Sequence, residues 1–520
     1  MISKNQMLRK QTQYKPNTNP TTKRPKMNIT NVSTKEYENI RLHRHAQNKP
    51  NSNPNKPNYS DLYRLKAYPT CLKAVCFSLF LYPGYNLTMQ ILVILGYFKM
   101  TYRLLLVSAI CVLLSLPAAG QQADSDPEAL FSNMEVHGFY EMRSGYRTRK
   151  DKYQKDMSIM ENRLQLDISS YTDWADFKFR GDLFGDLITE QADFDIREAY
   201  LSSSPFDFMD LKVGRQILTW GTGDLVFIND LFCKDWQSFF IGRDTEYLKA
   251  PSDAVKAGFF SDLANIDVVY TPQFDSDRFI SGERISYWNS GLDSIAGRNA
   301  IQHIDKPDRW FRDDEIAVRL YKSIKNYEYA LYAYRGYWKS PAGVKGTQAI
   351  FPDLNVYGAS VRGNIAGGIG NLEFGYYESD DDQSGKNGSV NNSELRFLAG
   401  YTQEVGKDFT AGVQYYLEHM TDYSRHKDSS PAGLTRDGDR HLVTLRLTKL
   451  LMNQNLRCSL FTYFSPSDKD VYMRPNINYK VSDNLALEAG ANIFFGDYPG
   501  TFFGQFQNNT NIYTAIRYSF

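Results

Sequence analysis

The residues best suited to contact a small solute are concentrated in one segment, 219–251. This segment is unusually apolar and aromatic for a loop, and an exposed apolar patch of that size requires a partner. We therefore predict that it folds into the interior of the protein, where it narrows a pore. Its predicted contact residues are Trp220, Asp224, Phe227, Phe232, Trp236, Phe239 and Phe240. The alternative is that the rings pack over the mouth of the pore and touch no solute.

Hydrolytic chemistry has little support in the sequence. A barrel phospholipase needs a serine and a histidine close together on one strand, with a polar group that orients the histidine, and no His-x-Ser-Asn run occurs. His419 and His426 have serine and aspartate neighbours, but in a polar loop where these are ordinary turn residues. Asp380–Asp382 could serve a protease, although a solvated loop tip explains them better. We predict no catalytic residues and no enzymatic activity.

Metal and cofactor binding are not indicated either. No cysteine–histidine cluster has the spacing of a zinc site, and no glycine-rich loop could cradle phosphate. Only Cys233 and Cys458 follow residue 120, too few for a disulfide scaffold. Two acidic loops, at 313–314 and 380–382, could at most hold Ca²⁺ or bridge to lipopolysaccharide through divalent ions. We expect no cofactor and no resident metal.

The elements that must position these residues are strands. After Gly120 the dominant hydropathy period is two residues, the pattern of a strand with one apolar face. We predict eighteen such strands, most of them long enough to cross a bilayer when tilted. They span 134–147, 158–170, 173–184, 193–204, 209–218, 252–261, 265–271, 313–323, 326–336, 354–364, 370–379, 394–404, 408–420, 440–449, 455–465, 470–480, 484–495 and 509–520.

The connections between these strands predict the topology. Those after even-numbered strands have 2 to 5 residues, whereas those after odd-numbered strands have 8 to 41, with one exception of 4. Such alternation is typical of a transmembrane barrel with tight periplasmic turns and long external loops. We therefore predict an all-β, antiparallel up-and-down transmembrane barrel of 18 strands, within a range of 16–18.

The last strand predicts how such a barrel is assembled. Its apolar residues alternate and include Ile516, Tyr518 and a terminal Phe520. This ending resembles the assembly signal of bacterial outer-membrane proteins, which implies the barrel-assembly machinery as a partner.

Charge divides the chain into a leader and a body. Of the 60 basic and 59 acidic residues, 17 and 3 fall in 1–120, which leaves 43 basic and 56 acidic residues in 121–520. A body that acidic argues against nucleic-acid binding. Residues 100–120 combine a basic start, an apolar core and small residues at the end, so we predict a secretory signal cleaved after Gly120. We interpret 1–99 as a disordered, low-complexity extension from an over-extended start, and 121–520 as the barrel.

The face opposite the apolar one would line the lumen. Its predicted lining residues are Glu135, Arg143, Arg163, Asp167, Lys178, Arg180, Arg319, Arg396, Glu418, Arg446 and Arg517. Both signs are present, which favours cross-strand salt bridges that stiffen a wide barrel over a ring of one sign that selects ions. Arg215 shares the lipid face, so we expect either a bulge near it or a position at headgroup level.

A family resemblance rests on Val213-Gly214-Arg215-Gln216 followed by Trp220-Gly221, and on the closing run NIFFGDYPGTFFGQFQNNTNIYTAIRYSF. These features resemble the porin-like outer-membrane barrels of proteobacteria, usually grouped with the porin superfamily and the alginate-export barrels. The resemblance covers most of 131–520 and implies a porin-like barrel without a named substrate. Alginate itself is disfavoured, because the lining shows no excess of Arg and Lys.

Together these features predict a Gram-negative outer-membrane, porin-like channel that passes small solutes by passive or facilitated diffusion. Outer-membrane lipid and lipopolysaccharide would surround it. The first alternative is an outer-membrane hydrolase, and the second is a closed structural or adhesive barrel whose loops bind a partner.

Overall fold

The computed structural model describes residues 133–429 and 437–520, so the predicted extension and signal segment, 1–99 and 100–120, lie outside the described residues. Eighteen antiparallel strands form one sheet. They are β1 (Met134–Arg147), β2 (Met157–Tyr171), β3 (Asp176–Asp186), β4 (Gln191–Phe206), β5 (Met209–Ile217), β6 (Pro251–Phe259), β7 (Asn265–Thr271), β8 (Glu315–Ile324), β9 (Tyr327–Tyr337), β10 (Asp353–Ile365), β11 (Gly368–Ser379), β12 (Glu394–Gly406), β13 (Phe409–Met420), β14 (Asp439–Leu451), β15 (Leu456–Ser465), β16 (Asp470–Lys480), β17 (Leu485–Gly496) and β18 (Asn511–Ser519).

The sheet closes on itself, because every strand pairs with its neighbours in sequence and β1 also pairs with β18. The predicted fold, an 18-stranded antiparallel up-and-down barrel, is confirmed. Each predicted strand lies within three residues of an observed one. The connection that differs most from its predicted length among the short ones joins β3 to β4. It contains only residues 187–190, because Gln191 and Ala192 already pair with β3.

The two faces of the wall differ as the alternation predicts. Outward residues such as Met142, Leu331 and Ile516 are more than half exposed. Inward residues such as Glu141 and Arg163 are at most 3% exposed, although both carry a charge. An apolar exterior around a polar interior is the arrangement of a barrel that sits in lipid.

The seam between the first and last strands is closed at its end by Phe520. The backbone groups of Phe520 and Gly138 exchange two hydrogen bonds, of 3.0 and 3.1 Å. The Phe520 ring also covers Gly138, where a β-carbon would stand 2.7 Å from the ring. Ile516 and Tyr518 face outward beside Met142 and Tyr140 of β1. Their role as an assembly signal remains a prediction.

Arg215 faces outward, near the long-loop end of β5. The register of β5 itself does not shift at Arg215, which forms the last pair with β4. The bulge nearest to Arg215 lies in β4, between Ile196 and Glu198, and leaves Arg215 on the outer face. Its guanidinium lies 3.0 Å from the Asp253 carboxylate on β6 and donates to the Ile196 carbonyl at 2.6 Å. This pairing partly neutralises its charge on the outer face.

The remaining elements are short and belong to the connections. They are the helices α1 (Trp236–Ile241) and α2 (Tyr423–Ser429), the 3₁₀ turns Thr245–Leu248, Asp380–Asp382 and Gly504–Asn509, and the short strands Tyr287–Asn289, Ser294–Ala296, Ile304–Asp305, Gly343–Lys345 and Gln348–Ile350. No helix in the described part of the chain is long and apolar enough to cross a membrane.

Candidate functional site

The connection from β5 to β6, residues 218–250, is built into the barrel from its first residues. Gly214 has a φ of +124°, and a β-carbon there would collide with the Ala199 carbonyl, so only glycine fits. Gln216 is fully buried and donates to the Ala254 carbonyl at 2.9 Å. Gly221, with a φ of +79°, turns the chain into the lumen. The Val-Gly-Arg-Gln…Trp-Gly motif therefore marks the entry of this loop.

The loop makes two separate excursions, each closed at its base. We call 220–229 the first lobe; its ends meet where Thr219 Oγ1 donates to Asp230 Oδ2 at 2.8 Å. We call 235–248 the second lobe; its ends meet where the Asp235 amide donates to the Leu248 carbonyl at 2.7 Å. Residues 230–234 form the stem between them.

The first lobe is held to the wall by a buried carboxylate. Glu373 on β11 accepts hydrogen bonds from the amides of Thr222, Gly223 and Asn229 and from the Asn229 side chain. The Asn229 donors lie 3.3 and 3.1 Å from Glu373 Oε2. One carboxylate thereby orients both ends of the lobe.

Further along the wall, the tip of the first lobe meets β13, β14 and β15. Gln414 accepts from the Asp224 amide at 2.7 Å and donates to the Asp224 carbonyl at 2.8 Å. Arg446 pairs with the Asp224 carboxylate, with Nη2 to Oδ1 at 2.8 Å. Tyr463 donates to the Leu225 carbonyl at 2.8 Å.

Glycines on the inner face of the wall make room for the first lobe. A β-carbon at Gly358 on β10 would collide with Asn229 Oδ1. A β-carbon at Gly375 on β11 would lie 2.6 Å from Ile228 Cγ2. Both positions must therefore stay small while the lobe is seated.

The second lobe is anchored instead by aromatic packing. Phe240 on α1 is 2% exposed, and its ring centroid lies 5.3 Å from Tyr472, 5.5 Å from Phe494 and 4.9 Å from Phe506. Tyr472 and Phe494 stack with each other at 4.3 Å. Such pairs add to the apolar burial of each ring.

Buried charge completes the anchorage of the second lobe on β1, β2 and β4. Arg143 donates to the Gly242 carbonyl at 2.6 Å. Arg243 of the lobe pairs with Glu161, which is 2% exposed. Arg197 donates to the carbonyls of Glu246 and Lys249 at 3.1 and 3.0 Å. The second lobe therefore contacts β16 and β17 by its rings and β1, β2 and β4 by its polar groups, whereas the first lobe contacts β10, β11 and β13–β15.

The predicted contact residues fall into two groups. Phe232, Phe239 and Phe240 are buried and pack on other rings, so they hold the loop in place without forming its exposed surface. The other four are only partly buried: Trp220, Asp224, Phe227 and Trp236. Phe227 and Trp236 bring the two lobes together, with their centroids 6.1 Å apart. Contact with a solute remains a prediction for all of them.

The predicted lining residues form ion pairs around the lumen, with the exception of Glu135, which is exposed at the start of β1. The pairs are Arg143 with Glu141 (2.9 Å) and Glu488 (2.7 Å), Arg163 with Asp182 (2.5 Å), Lys178 and Arg180 with Asp167, Arg319 with Glu328 (2.7 Å), Arg396 with Glu394 (2.7 Å) and Glu418 (3.9 Å), Arg446 with Asp224, and Arg517 with Glu141 (2.8 Å). This arrangement leaves little net charge on the described lining.

The stem is the most enclosed part of the loop. Cys233 is 1% exposed, donates to the Asp275 carbonyl at 2.9 Å, and burial raises the pKa of its thiol to about 12. Burial also raises the pKa of Asp277, which accepts from the Lys234 amide at 2.7 Å. The thiol is therefore neutral and shielded at ordinary pH.

Sequence reasoning missed several residues that hold the loop. Gln414, Tyr463 and Tyr472 were not singled out, because a polar or aromatic residue on the inward face has no distinctive spacing. Gly358 and Gly375 offered a usable signal, since glycine is unfavourable inside a strand unless another group approaches closely. Among the described residues, no group of three or more His, Cys, Asp or Glu could hold a metal ion.

Comparisons with known proteins return structures but no sequence relatives. No protein-family profile and no curated protein matches the chain. Acinetobacter baumannii OccAB3 aligns at 12% identity over 75% of this chain and 99% of its own, with a TM-score of 0.46. Pseudomonas aeruginosa OccK5 (OpdH) aligns at 9% over 75% and 98%, also at 0.46. A mutant Rh. blastica porin aligns at 12% over 74% and 100%, at 0.36.

Proposed function

We propose that this chain is an outer-membrane channel that passes small solutes by passive or facilitated diffusion, with the two lobes as its constriction. The observation that carries the proposal is the ion pair between Asp224 and Arg446. It joins the tip of the first lobe to the wall, and the two side chains remain 44% and 35% exposed. In contrast, the Arg163–Asp182 pair is 3% and 0% exposed. The lumen beside the first lobe is therefore open to water.

Membrane insertion is supported by the closure of the sheet. In lipid every backbone polar group must find a partner inside the protein, which leaves only helices and closed barrels as spanning structures. Here the β1–β18 pairing removes both edges. Outer-membrane lipid, lipopolysaccharide and the barrel-assembly machinery are the partners that this location implies, and nucleic acid is not among them.

A hydrolase is the weaker candidate. His419 Nδ1 lies 2.7 Å from Asp439 Oδ1, but none of the hydrogen bonds in the described ranges joins His419 to a serine, threonine or cysteine. In the loop after β11, Asp381 accepts from the Asp353 amide and Asp382 from the Lys386 amide. These contacts stabilise a loop tip and favour no reaction.

The two closed lobe bases allow a sharp test. Because Thr219 and Asp230 are in contact, 220–229 can be replaced by two glycines without moving the second lobe. The base at 234 and 249, where an isolated antiparallel bridge joins Lys234 and Lys249, allows the same replacement of 236–247. Single-channel conductance in planar bilayers is then compared for the intact protein and both variants.

We expect discrete conductance steps from the intact protein and larger steps when the first lobe is absent, because the constriction widens. An absence of steps in all three forms would favour the closed structural or adhesive barrel. Turnover of lipid or peptide by the pure protein would favour the hydrolase. A liposome-swelling panel of sugars, amino acids, organic acids and fatty acids would then identify the solute class.

A further inference from the structure

The outer wall carries an apolar trough on β8–β12, separate from the lumen. Its volume is 460 Å³. The trough runs along β10, where the outward residues Ala359 and Val361 are small relative to their neighbours. Leu331 and Phe374 flank Ala359 on either side, as Tyr329 and Leu372 flank Val361. The bulky flanking side chains are 44–57% exposed and form the two rims.

One end of the trough carries a cation. Lys322 faces outward on β8, directly across from Tyr329, and lines the trough. Its ammonium donates to the Asp262 carbonyl at 2.7 Å, and none of the ion pairs in the described ranges involves it. An ammonium has three donors, so two remain for an anionic group.

The position of Lys322 along the wall identifies the leaflet. Lys322 lies two residues before the end of β8, beside the two-residue turn 325–326. Short turns are found on the periplasmic side of such barrels. Tyrosines typically lie at the membrane interface, and Tyr327 and Tyr329 follow this turn. A phosphate beside Lys322 would therefore belong to the periplasmic leaflet, with its acyl chain directed toward the middle of the bilayer.

We propose that the trough is a binding site for one glycerophospholipid of the periplasmic leaflet, with an acyl chain along Ala359 and Val361 and its phosphate at Lys322. The proposal rests on the membrane placement argued above. It commits to a lipid rather than to a second copy of the chain because the trough joins an apolar channel to a single cation, the order of groups in a phospholipid.

The test uses the full protein in phosphatidylethanolamine vesicles that contain a phosphatidylethanolamine with a photoactivatable group on its acyl chain. After illumination, labelled peptides are mapped along the wall. Ala359→Phe fills the trough, and Ala489→Phe places the same ring on the exposed outer face of β17 as a matched control. Lys322→Gln removes the cation and leaves the apolar rims in place.

We expect labelling concentrated on β9–β11 and reduced several-fold by Ala359→Phe and by Lys322→Gln, but unchanged by Ala489→Phe. Uniform labelling around the barrel, or equal effects of the two phenylalanine variants, would overturn the trough while leaving the channel proposal intact. Disulfide-linked dimers of an Ala359→Cys variant would overturn it in favour of a second copy. An absence of labelling on any strand would overturn both the trough and the membrane placement.

Discussion

The two lobes of the β5–β6 connection enter the same lumen but are held in place by different kinds of interaction. The first lobe is attached mainly by polar groups, above all Glu373, Gln414 and Arg446. The second is attached by stacked rings and buried charges, with Phe240 at its centre. Apolar burial in a close-packed interior is costly to disturb, whereas the partly exposed ion pair between Asp224 and Arg446 can be exchanged for contacts with water. On the proposed function, this difference predicts that the second lobe anchors the loop and that the first lobe contacts the solute.

We expect the largest loss of stability from a substitution in the aromatic cluster that holds the second lobe. Phe240→Ala removes a ring that is 2% exposed, and losses of about 3–5 kcal/mol are typical for a buried phenylalanine. Phe227→Ala, in the partly exposed tip of the first lobe, should cost clearly less. Denaturant unfolding of the folded barrel in detergent measures both free energies of unfolding. Equal losses of unfolding free energy in the two variants would contradict the view that the second lobe contributes more to stability than the first.

Removing Glu373, the carboxylate that holds the first lobe, should reduce stability less and should affect mainly that lobe. Glu373→Ala removes the acceptor of the buried Asn229 amide, and a buried donor left unpaired costs about 1–3 kcal/mol. The Asn229 side chain keeps the Phe374 carbonyl, at 3.3 Å, as an acceptor. We expect the first lobe to become sensitive to protease and the channel current to become noisier, with the second lobe still protected. Glu378→Ala, on the outward face of the same strand, is the control. Protease cleavage in both lobes would show that they move together.

Charge changes at the tip should alter selectivity with little effect on stability. Asp224→Asn leaves Arg446 unpaired in the lumen, so permeability should shift toward anions by a few-fold; Arg446→Gln should shift it toward cations. Reversal potentials in a salt gradient measure both. Asp483→Asn removes a charge that is 97% exposed in a periplasmic turn and should change nothing. Shifts in the same direction for both tip variants would contradict a lumen-facing pair.

The smallest expected effect concerns the stem between the lobes. Because burial raises the pKa of Cys233 to about 12, its thiol should resist maleimide at neutral and mildly alkaline pH in the folded protein. Peptide mapping by mass spectrometry follows the modification, with a denatured sample as the positive control. The Glu373→Ala variant should remain equally resistant. Rapid labelling of Cys233 in the folded protein would mean that the whole loop leaves the lumen.

The fold could be predicted from the sequence because side chains of a barrel wall have only two environments, the lipid outside and the lumen inside. All eighteen strands follow from the alternation, and the inward charges are ion-paired because isolated charges inside a protein are unfavourable. The interior position of the loop was one of two alternatives that the sequence left open, the other being that its rings pack over the mouth of the barrel. The sequence did not predict which of those aromatic residues are buried and which remain partly exposed, because this depends on residues elsewhere in the barrel. Phe240, for example, is buried by Tyr472 and Phe506, which are far away in sequence.

The polar attachments of the first lobe were hidden for a different reason. Glu373 bonds mainly to backbone amides of the lobe, and such contacts leave no pattern in the side-chain sequence. The same holds for Tyr463, whose partner is the Leu225 carbonyl. Only the glycines opposite the lobe carry a sequence signal, and interpreting them requires the strand register.

The pairing of β1 with β18 has a consequence for how the barrel folds. Its partners are among the most distant in the chain; Glu141 and Arg517 are 376 positions apart. Until β18 is in place, one side of β1 is an unprotected template for pairing with other chains, and closing so long a loop is entropically the most expensive pairing in the sheet. We therefore expect the pairing of β1 with β18 to be the last to form in the sheet.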